Sequence, residues 1–246
     1  MRGETNTGVT LQTLHPTEFD AGVVLDQTPE PGVPIPNLAS YTYADLQRMS
    51  SVMSAEMLIK SIRERTFVPP YKDIRKGSIQ APTRLTSFAP KIEPKTRCLD
   101  FQSMSSSHIL RMNRAIPPLW AEARLASENN TTTVIFGPNM YLAEVSNSKK
   151  ISTIEPGLPY LSLDENDQIK TISAPLMINT VDGQTLVVPT LKLPGTTYRP
   201  AAALAQSANL LLDSSKQQAE RVLTFHEPLK VPQEIRGYVK SVWQPA

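Results

Sequence analysis

Proline constrains this chain more than any other residue type. The 246-residue sequence contains 22 prolines but only 10 glycines, a proline content well above the usual level of about 5%. Proline fixes φ and has no backbone N–H to donate, so it interrupts helices and central strands. We therefore expect many extended segments, turns and linkers, and few long helices.

Composition excludes several classes of protein. No apolar run reaches the roughly 18 residues that a membrane-spanning helix requires, so a membrane span is excluded. The single cysteine, Cys98, excludes a disulfide framework and a zinc site built from several thiolates. The three histidines lie far apart without ligand-like spacing, so no bound metal is expected. A chain of this length fits one large or two modest domains.

Positive charge is concentrated in the middle of the chain. The net charge is +2, but residues 1–70 carry −3, residues 71–124 carry +6 and residues 125–246 carry −1. Such a concentration suits a polyanion such as RNA or an anionic membrane surface. It is equally typical of a solvated linker, so charge alone leaves these alternatives open.

Periodicity predicts the elements of the N-terminal third. Alternating apolar residues predict short strands over 9–14 and 23–27, and four prolines make 29–36 an extended loop. Apolar residues at three- and four-residue steps predict a helix over 42–64, with Thr42 as its N-cap. The methionines of this helix are expected to pack in the core.

The following sequence predicts one helix and then short strands. The helix is expected over 103–114, capped by one of its serines and ended by Pro117 and Pro118. Short apolar runs predict five strands, over 132–136, 140–145, 169–172, 176–178 and 186–193. Several short strands with a small helix are typical of a small antiparallel barrel.

The C-terminal half contains four further features. Asp182 and Gly183 predict a hairpin turn between two of the strands. Residues 147–167 are polar and contain prolines, which predicts a surface insertion. An Ala/Leu pattern predicts a closing helix over 201–212, and residues 214–246 show too weak a periodicity to assign.

Four short motifs occur in a fixed order along residues 5–213. They are Thr7–Thr10 with Phe19–Gly22, Ala89–Ile92 with Arg97–Phe101, Arg114–Pro117, and Asp182–Leu186. In this order and spacing, the motifs resemble those of methionyl-tRNA formyltransferase, one of the folate-dependent formyltransferases. The high proline content and the polar insertion resemble a divergent, eukaryotic mitochondrial version, fungal-like in character.

The resemblance implies an α+β chain with two main parts. Residues 1–70 would be the C-terminal portion of a Rossmann-like formyltransferase catalytic domain, and residues 71–88 a basic linker. Residues 89–213 would form an OB-like β-barrel that binds tRNA, followed by an extension over 214–246. Nothing in the sequence corresponds to the N-terminal half of the family's catalytic domain, so the chain looks cut from a longer protein.

The resemblance also implies the functional residues. Asp20 matches the family's catalytic aspartate, which orients a histidine and helps to move the proton of the attacking amine. By itself, an aspartate before Ala-Gly would be interpreted as a turn residue. The implied tRNA-binding residues are basic and follow the linker: Lys91, Lys95, Arg97, Arg111 and Arg114.

The activity implied by the resemblance is transfer of formyl from 10-formyltetrahydrofolate to the amino group of initiator methionyl-tRNA. The family's catalytic Asn and His have no counterpart here, so the chain alone is expected to be inactive. The resemblance implies the mitochondrial matrix and no membrane partner, although the sequence shows no targeting segment. The oligomeric state is left open, with a monomer expected. The alternative is a non-catalytic RNA-binding module that kept the barrel and lost the chemistry.

Overall fold

The computed structural model describes residues 2–18, 21–74, 89–124, 131–143, 155–161 and 174–208. The chain divides into two compact units. The first unit is Arg2–Pro90 and the second is Lys91–Ala246.

Two small antiparallel strand pairs begin the first unit. They are β1 (Asn6–Thr7) with β4 (Val33–Pro34), and β2 (Thr10–Gln12) with β3 (Val24–Gln27). The strands predicted over 9–14 and 23–27 are thereby confirmed with shorter bounds. The loop predicted over 29–36 also contains β4, a two-residue strand.

The helix α1 spans Tyr43–Glu64, as predicted. Thr42 is its N-cap: the Asp45 N–H donates to the Thr42 hydroxyl at 3.3 Å, and the Asp45 carboxylate accepts the Thr42 N–H at 3.1 Å. This capping box satisfies two backbone donors at the start of the helix. The helix ends at Arg65, which has a left-handed φ of 57°.

Most apolar side chains of α1 are not buried. Ser61 is the one buried residue of the helix. The sequence predicted the methionines of this helix to be core residues, but they are only half-buried: Met49, Met53 and Met57. Other large apolar side chains of the helix are exposed: Val52, Leu58, Ile59 and Ile62. Among the described residues of the first unit, the buried hydrophobic side chains are Val24 and Leu25, so this unit has little hydrophobic stabilisation of its own.

Eight strands form two antiparallel sheets in the second unit. They are β5 (Leu119–Arg124), β6 (Thr131–Phe136), β7 (Tyr141–Leu142), β8 (Pro159–Leu161), β9 (Leu176–Asn179), β10 (Thr185–Val188), β11 (Thr190–Lys192) and β12 (Arg199–Pro200). The first sheet has the order β5–β6–β11–β12, and the second sheet has the order β7–β10–β9–β8. Pro189 separates β10 from β11, and there the chain passes from the second sheet into the first.

The strand predictions for this unit need three corrections. The single strand predicted over 186–193 is two strands, because Pro189 has no N–H for the ladder. Residues 119–124 form β5, whereas the sequence indicated only the end of a helix there. The three residues of β8 pair with β9, so this part of the insertion predicted over 147–167 belongs to a sheet. The strand predicted over 169–172 lies outside the described residues.

Helical segments complete the second unit. A 3-10 helix covers Pro94–Arg97, α2 covers Ser106–Ala115, and α3 covers Ala201–Ser207. The helix predicted over 103–114 is therefore confirmed, and its N-cap is Ser105. Residues 209–212 of the closing helix predicted from the sequence lie outside the described part of the chain.

One hydrophobic core is shared by both sheets and by α2 and α3. Its fully buried side chains come from each of these elements and from the segment before α2, and include Leu99, Phe101, Ile109, Leu119, Ile178, Leu186, Leu191 and Leu204. The Phe101 and Phe136 rings contact in a tilted arrangement, with centroids 5.8 Å apart. Burial of this apolar surface is the main stabilising term of the unit.

The architecture is a mixed helix and strand fold, as predicted. Within the residues that the structure describes, no strand pairing joins the two sheets, so no closed barrel is present there. The same described residues include no helix that is both long and apolar enough to cross a membrane.

Removing a core aromatic side chain should destabilise the second unit strongly. We expect Phe101→Ala to lower the free energy of unfolding by about 3–5 kcal/mol, because truncation of a buried Phe loses transfer free energy and leaves a cavity. Denaturant titration of the whole chain, followed by near-UV circular dichroism, measures this change. Tyr141→Ala is the control: Tyr141 is 53% exposed, and we expect about 0.5 kcal/mol or less. Equal losses would contradict the assignment of this core.

Candidate nucleic-acid interface

The basic residues predicted to bind tRNA lie on neighbouring segments of the second unit. Lys91 precedes the 3-10 helix, which contains Lys95 and Arg97, and α2 contains Arg111 and Arg114. The two lysines are exposed and the α2 arginines are half-buried. Arg97 differs from all of these, because only 2% of it is exposed.

Arg97 has a structural role. Its Nη1 donates to the Pro117 carbonyl at 2.8 Å, which ties the 3-10 helix to the turn after α2. A guanidinium buried to this extent cannot reach a phosphate without leaving its place in the fold. The tRNA contact predicted for Arg97 is therefore not carried into the proposed interface.

The backbone around Lys95 is held by a buried tryptophan of β5. The Trp120 indole N–H donates to the Pro94 carbonyl at 3.0 Å, and the Leu99 N–H donates to the Trp120 carbonyl at 2.8 Å. Trp120 itself is fully buried. The exposed Lys95 side chain therefore extends from a backbone with a fixed position.

A carboxylate from a distant hairpin holds the first turn of α2. Asp182 lies in the turn between β9 and β10, where Gly183 has a φ of +71°, a value that favours glycine. The Ser106 hydroxyl and N–H donate to the Asp182 carboxylate at 2.8 and 3.1 Å. A negative charge here satisfies an unpaired backbone donor and interacts favourably with the helix dipole.

These contacts also determine the ionisation of Asp182. Partial burial acts to raise the pKa of the carboxyl group, but hydrogen bonds from Thr180 and Ser106 outweigh it and lower the pKa below the ordinary value of 3.8. Donors that bind the charged form favour that form. Asp182 is therefore a carboxylate at neutral pH, and it is ionised while it holds α2.

Arg111 and Arg114 share a face of α2 with His108, which the sequence analysis had not singled out. The three residues occur at three-residue steps, so their side chains are neighbours on the helix. The opposite face packs into the core through Ile109 and Met112. Among the described residues, no carboxylate forms an ion pair with either arginine. We call Arg111 and Arg114 the cationic face.

Burial and the charge of Arg111 perturb the pKa values of His108 and Arg114. Partial burial, followed by the charge of Arg111, lowers the pKa of His108 and likewise that of Arg114. Arginine nevertheless stays protonated at neutral pH, while His108 contributes a neutral ring. Two adjacent guanidinium groups without a carboxylate partner favour a polyanion, because phosphates would relieve the repulsion between them.

Asp20, the candidate catalytic residue, lies outside the described residues. Thr13, just after β2, and Val23, just before β3, are bonded to each other: the Val23 N–H donates to the Thr13 hydroxyl at 2.9 Å, and the Thr13 N–H donates to the Val23 carbonyl at 2.9 Å. A Cβ on Gly22 would lie 1.7 Å from the Thr13 carbonyl oxygen, so glycine is required there. On the other side, the His15 ring nitrogen Nδ1 accepts the Glu18 N–H at 3.1 Å. The described residues that flank positions 19 and 20 are therefore held by hydrogen bonds on both sides.

Within the described ranges, no three His, Cys, Asp or Glu side chains lie close enough to hold a metal ion. The sequence resemblance assigned no residue of this chain to a folate pocket, and the described geometry adds none.

The sequence matches several proteins named mitochondrial methionyl-tRNA formyltransferase. The mouse protein is 29% identical over 148 residues, which are 60% of this chain and 34% of the mouse protein. The human protein is 33% identical over 116 residues, 47% of this chain and 27% of that protein. The Saccharomyces cerevisiae protein is 29% identical over 154 residues, 55% of this chain and 37% of that protein. The resemblance found in the motifs is thereby confirmed, over about a third of the length of these relatives.

No protein-family model matches the chain. Among solved structures, a variant of HypX from Aquifex aeolicus has a TM-score of 0.50 at 17% identity, and covers 82% of this chain and 30% of HypX. HypX in complex with tetrahydrofolic acid has the same TM-score at 18% identity and the same coverage. At these identities the likeness concerns the fold alone.

Neutralising Asp182 should loosen the N-terminus of α2. We expect Asp182→Asn to cost about 1 kcal/mol of unfolding free energy, the usual size of a helix-capping contact that is partly exposed to solvent. Because the folded-state pKa is lowered, the contribution of Asp182 is fully present above pH 4 or so and is lost as the pH falls through the folded-state pKa. Thermal unfolding between pH 2 and 7 measures both effects. Glu155→Gln, at an exposed carboxyl, is the control, and an equal response from it would exclude this role for Asp182.

Proposed function

We propose that this protein acts in the transfer of formyl from 10-formyltetrahydrofolate to the amino group of initiator methionyl-tRNA, during translation initiation in the mitochondrial matrix. The observation that carries the proposal is the match to mitochondrial methionyl-tRNA formyltransferases at 29–33% identity. The fold shared with HypX, a protein that has been crystallised with tetrahydrofolic acid, supports a folate donor. Because the match covers about a third of each relative, the whole activity is inferred by resemblance.

We further propose a division of labour along the chain. Residues 1–70 would contribute to the catalytic domain, residues 71–88 would link it to an OB-like tRNA-binding domain over 89–213, and residues 214–246 would extend that domain. Two antiparallel sheets around one core, with a direct passage between them at Pro189, support such a domain in the second unit.

In this proposal, tRNA binds to four of the basic residues predicted from the sequence. Lys91 and Lys95 are exposed, and Arg111 and Arg114 form an arginine pair without a carboxylate partner among the described residues. Lysine and arginine neutralise phosphates and release bound counterions, which favours association. Such contacts position the nucleic acid and do not read its sequence.

Asp20 would serve the chemical step. The substrate amine must lose a proton before its nitrogen can attack the formyl carbon, so the site needs a proton acceptor held near that nitrogen. By resemblance, Asp20 orients the histidine that accepts this proton. The hydrogen-bonded residues on either side of it, with Gly22 against Thr13, support this proposal, since a residue that orients another must be held in place.

The chain alone should not transfer formyl, because groups that act as a unit lose nearly all activity together. We expect no activity from the purified chain, and activity when residues 2–246 are fused to the N-terminal half of the human relative. In that fusion, Asp20→Asn should abolish activity and leave tRNA affinity within about twofold.

Asp26→Asn is the matched control for Asp20. Asp26 pairs with Lys60 at 3.2 Å near the surface, and such pairs contribute little, so this variant should keep its activity. Transfer of formyl from a labelled donor measures the rates. A chain alone as fast as a complete relative, or an active Asp20→Asn fusion, would contradict the proposal. A fusion that binds tRNA without activity would favour the non-catalytic RNA-binding module.

The α2 arginines should determine part of the salt dependence of tRNA binding. Each phosphate contact adds about 0.7–0.9 to the slope of log K against log [salt], so Arg111→Ala with Arg114→Ala should flatten the slope by about one to two units. Arg48→Ala with Arg63→Ala, at exposed positions of α1, is the control and should leave the slope unchanged. Lys91→Ala or Lys95→Ala should weaken different tRNAs by a similar factor. Identical slopes in a salt titration would show that the cationic face is only a solvated surface.

A further inference from the structure

An exposed aromatic ring lies beside a lysine at one edge of the first sheet. Tyr198 precedes β12 and is 43% exposed, and Lys192 Nζ on β11 lies 5.2 Å from the centroid of its ring. The distance is within the range of a cation–π contact. Neither residue belongs to the motifs of the sequence resemblance.

The hairpin that carries this pair is well supported. The Leu193 N–H donates to the Thr196 hydroxyl, and the Thr196 N–H donates back to the Leu193 carbonyl, both at 3.1 Å. Just after β12, the N–H of the fully buried Ala201 donates to the Pro189 carbonyl at 2.9 Å. The ring therefore extends from a backbone that is fixed at the turn and at its base, so little ordering is required when a ligand binds.

The same face of the sheet leads to Lys95. Lys192 lies opposite Ile135 on β6, and Ile135 lies opposite Trp120 on β5. Directly opposed residues share a face of the sheet, and at Trp120 that face is covered by the segment that contains Lys95, through the bond to the Pro94 carbonyl. Lys192, Ile135 and Trp120 thus form a row across three strands, and two inter-strand spacings, about 10 Å, separate Lys192 from Trp120.

We propose that Tyr198 and Lys192 form a stacking platform for an unpaired base of the bound RNA. This inference rests on the proposed tRNA substrate. It adds a contact to a nucleotide base, whereas the basic residues of the proposed interface contact phosphates. A base stacks on an exposed ring whatever its identity, while neighbouring lysines take the backbone on either side. The exposed ring of Tyr198 has Lys192 beside it, and Lys95 lies in the segment that is bonded to Trp120 on the same face of the sheet, so the surroundings of the ring have this composition.

The test uses the whole 246-residue chain and a short single-stranded RNA that ends in the fluorescent base 2-aminopurine. Stacking on the ring should quench the fluorescence of this base. Tyr198→Ala should weaken binding about tenfold, in the range found for one stacked base, and should abolish the quenching. Tyr198→Phe keeps the ring and should bind and quench like the original chain. A blunt duplex of the same sequence should bind Tyr198→Ala and the original chain equally.

Three results would overturn the platform. They are unchanged single-strand binding by Tyr198→Ala, a loss in Tyr198→Phe as large as in Tyr198→Ala, and binding of an acidic peptide that depends on Tyr198 as strongly as RNA binding does. If Tyr198→Ala lowers the thermal midpoint of unfolding, the test relies on Tyr198→Phe and Lys192→Gln instead. Both variants keep an aromatic ring at position 198, so a stacking platform should still quench the fluorescence of 2-aminopurine in both.

Failure of the platform is distinguishable from failure of the proposed function. If the original chain binds whole tRNA with a salt slope that depends on Arg111 and Arg114, and Tyr198→Ala binds the single strand normally, only the platform is wrong. If the original chain binds no tRNA, the proposed tRNA-binding role of this unit is wrong, and the platform with it.

Discussion

The hydrogen bonds from Ser106 to the Asp182 carboxylate join α2 to the second sheet of the second unit. Through them, a hairpin of the second sheet fixes the start of the helix, while Ile109 and Met112 seat its inner face in the core. The orientation of Arg111 and Arg114 follows from these two attachments. Asp182 also supplies negative charge where the helix dipole favours it, at the opposite end of the helix from Arg114. These contacts therefore fix the position of the cationic face on the second unit.

Burial separates two kinds of basic residue that the sequence treats alike. Arg97 is enclosed and bonded to a backbone carbonyl, so its charge stabilises a turn. Arg111 and Arg114 are half-buried beside each other, and no carboxylate offsets them within the described residues. A guanidinium that already has a fixed partner gains little from a phosphate, whereas two that repel each other gain more. This difference decides which of the predicted residues belong to the proposed interface.

Local signals were readable from the sequence and distant contacts were not. The Thr42 cap depends on neighbouring residues and is predicted from the sequence. The break at Pro189 is equally local, because proline has no N–H for the ladder, although the sequence analysis predicts a single strand there. The Asp182 turn was predicted too, but its bond to Ser106 spans 76 positions and no pattern reveals it. β8 was missed because its pairing with β9 is decided by tertiary contacts within an otherwise polar stretch. The position of Arg97 was invisible because a charge gives no sign of its burial.

The sparse core around α1 has a consequence for how the chain opens. Protection of backbone amides against hydrogen exchange depends on the free energy of the opening that exposes them. In the second unit, such an opening must expose side chains as well buried as Leu99 and Ile178. Along α1, whose apolar residues are largely in contact with water already, an opening exposes little new apolar surface. We therefore expect the amides of α1, the helix that is easiest to recognise in the sequence, to exchange before those of the two sheets of the second unit.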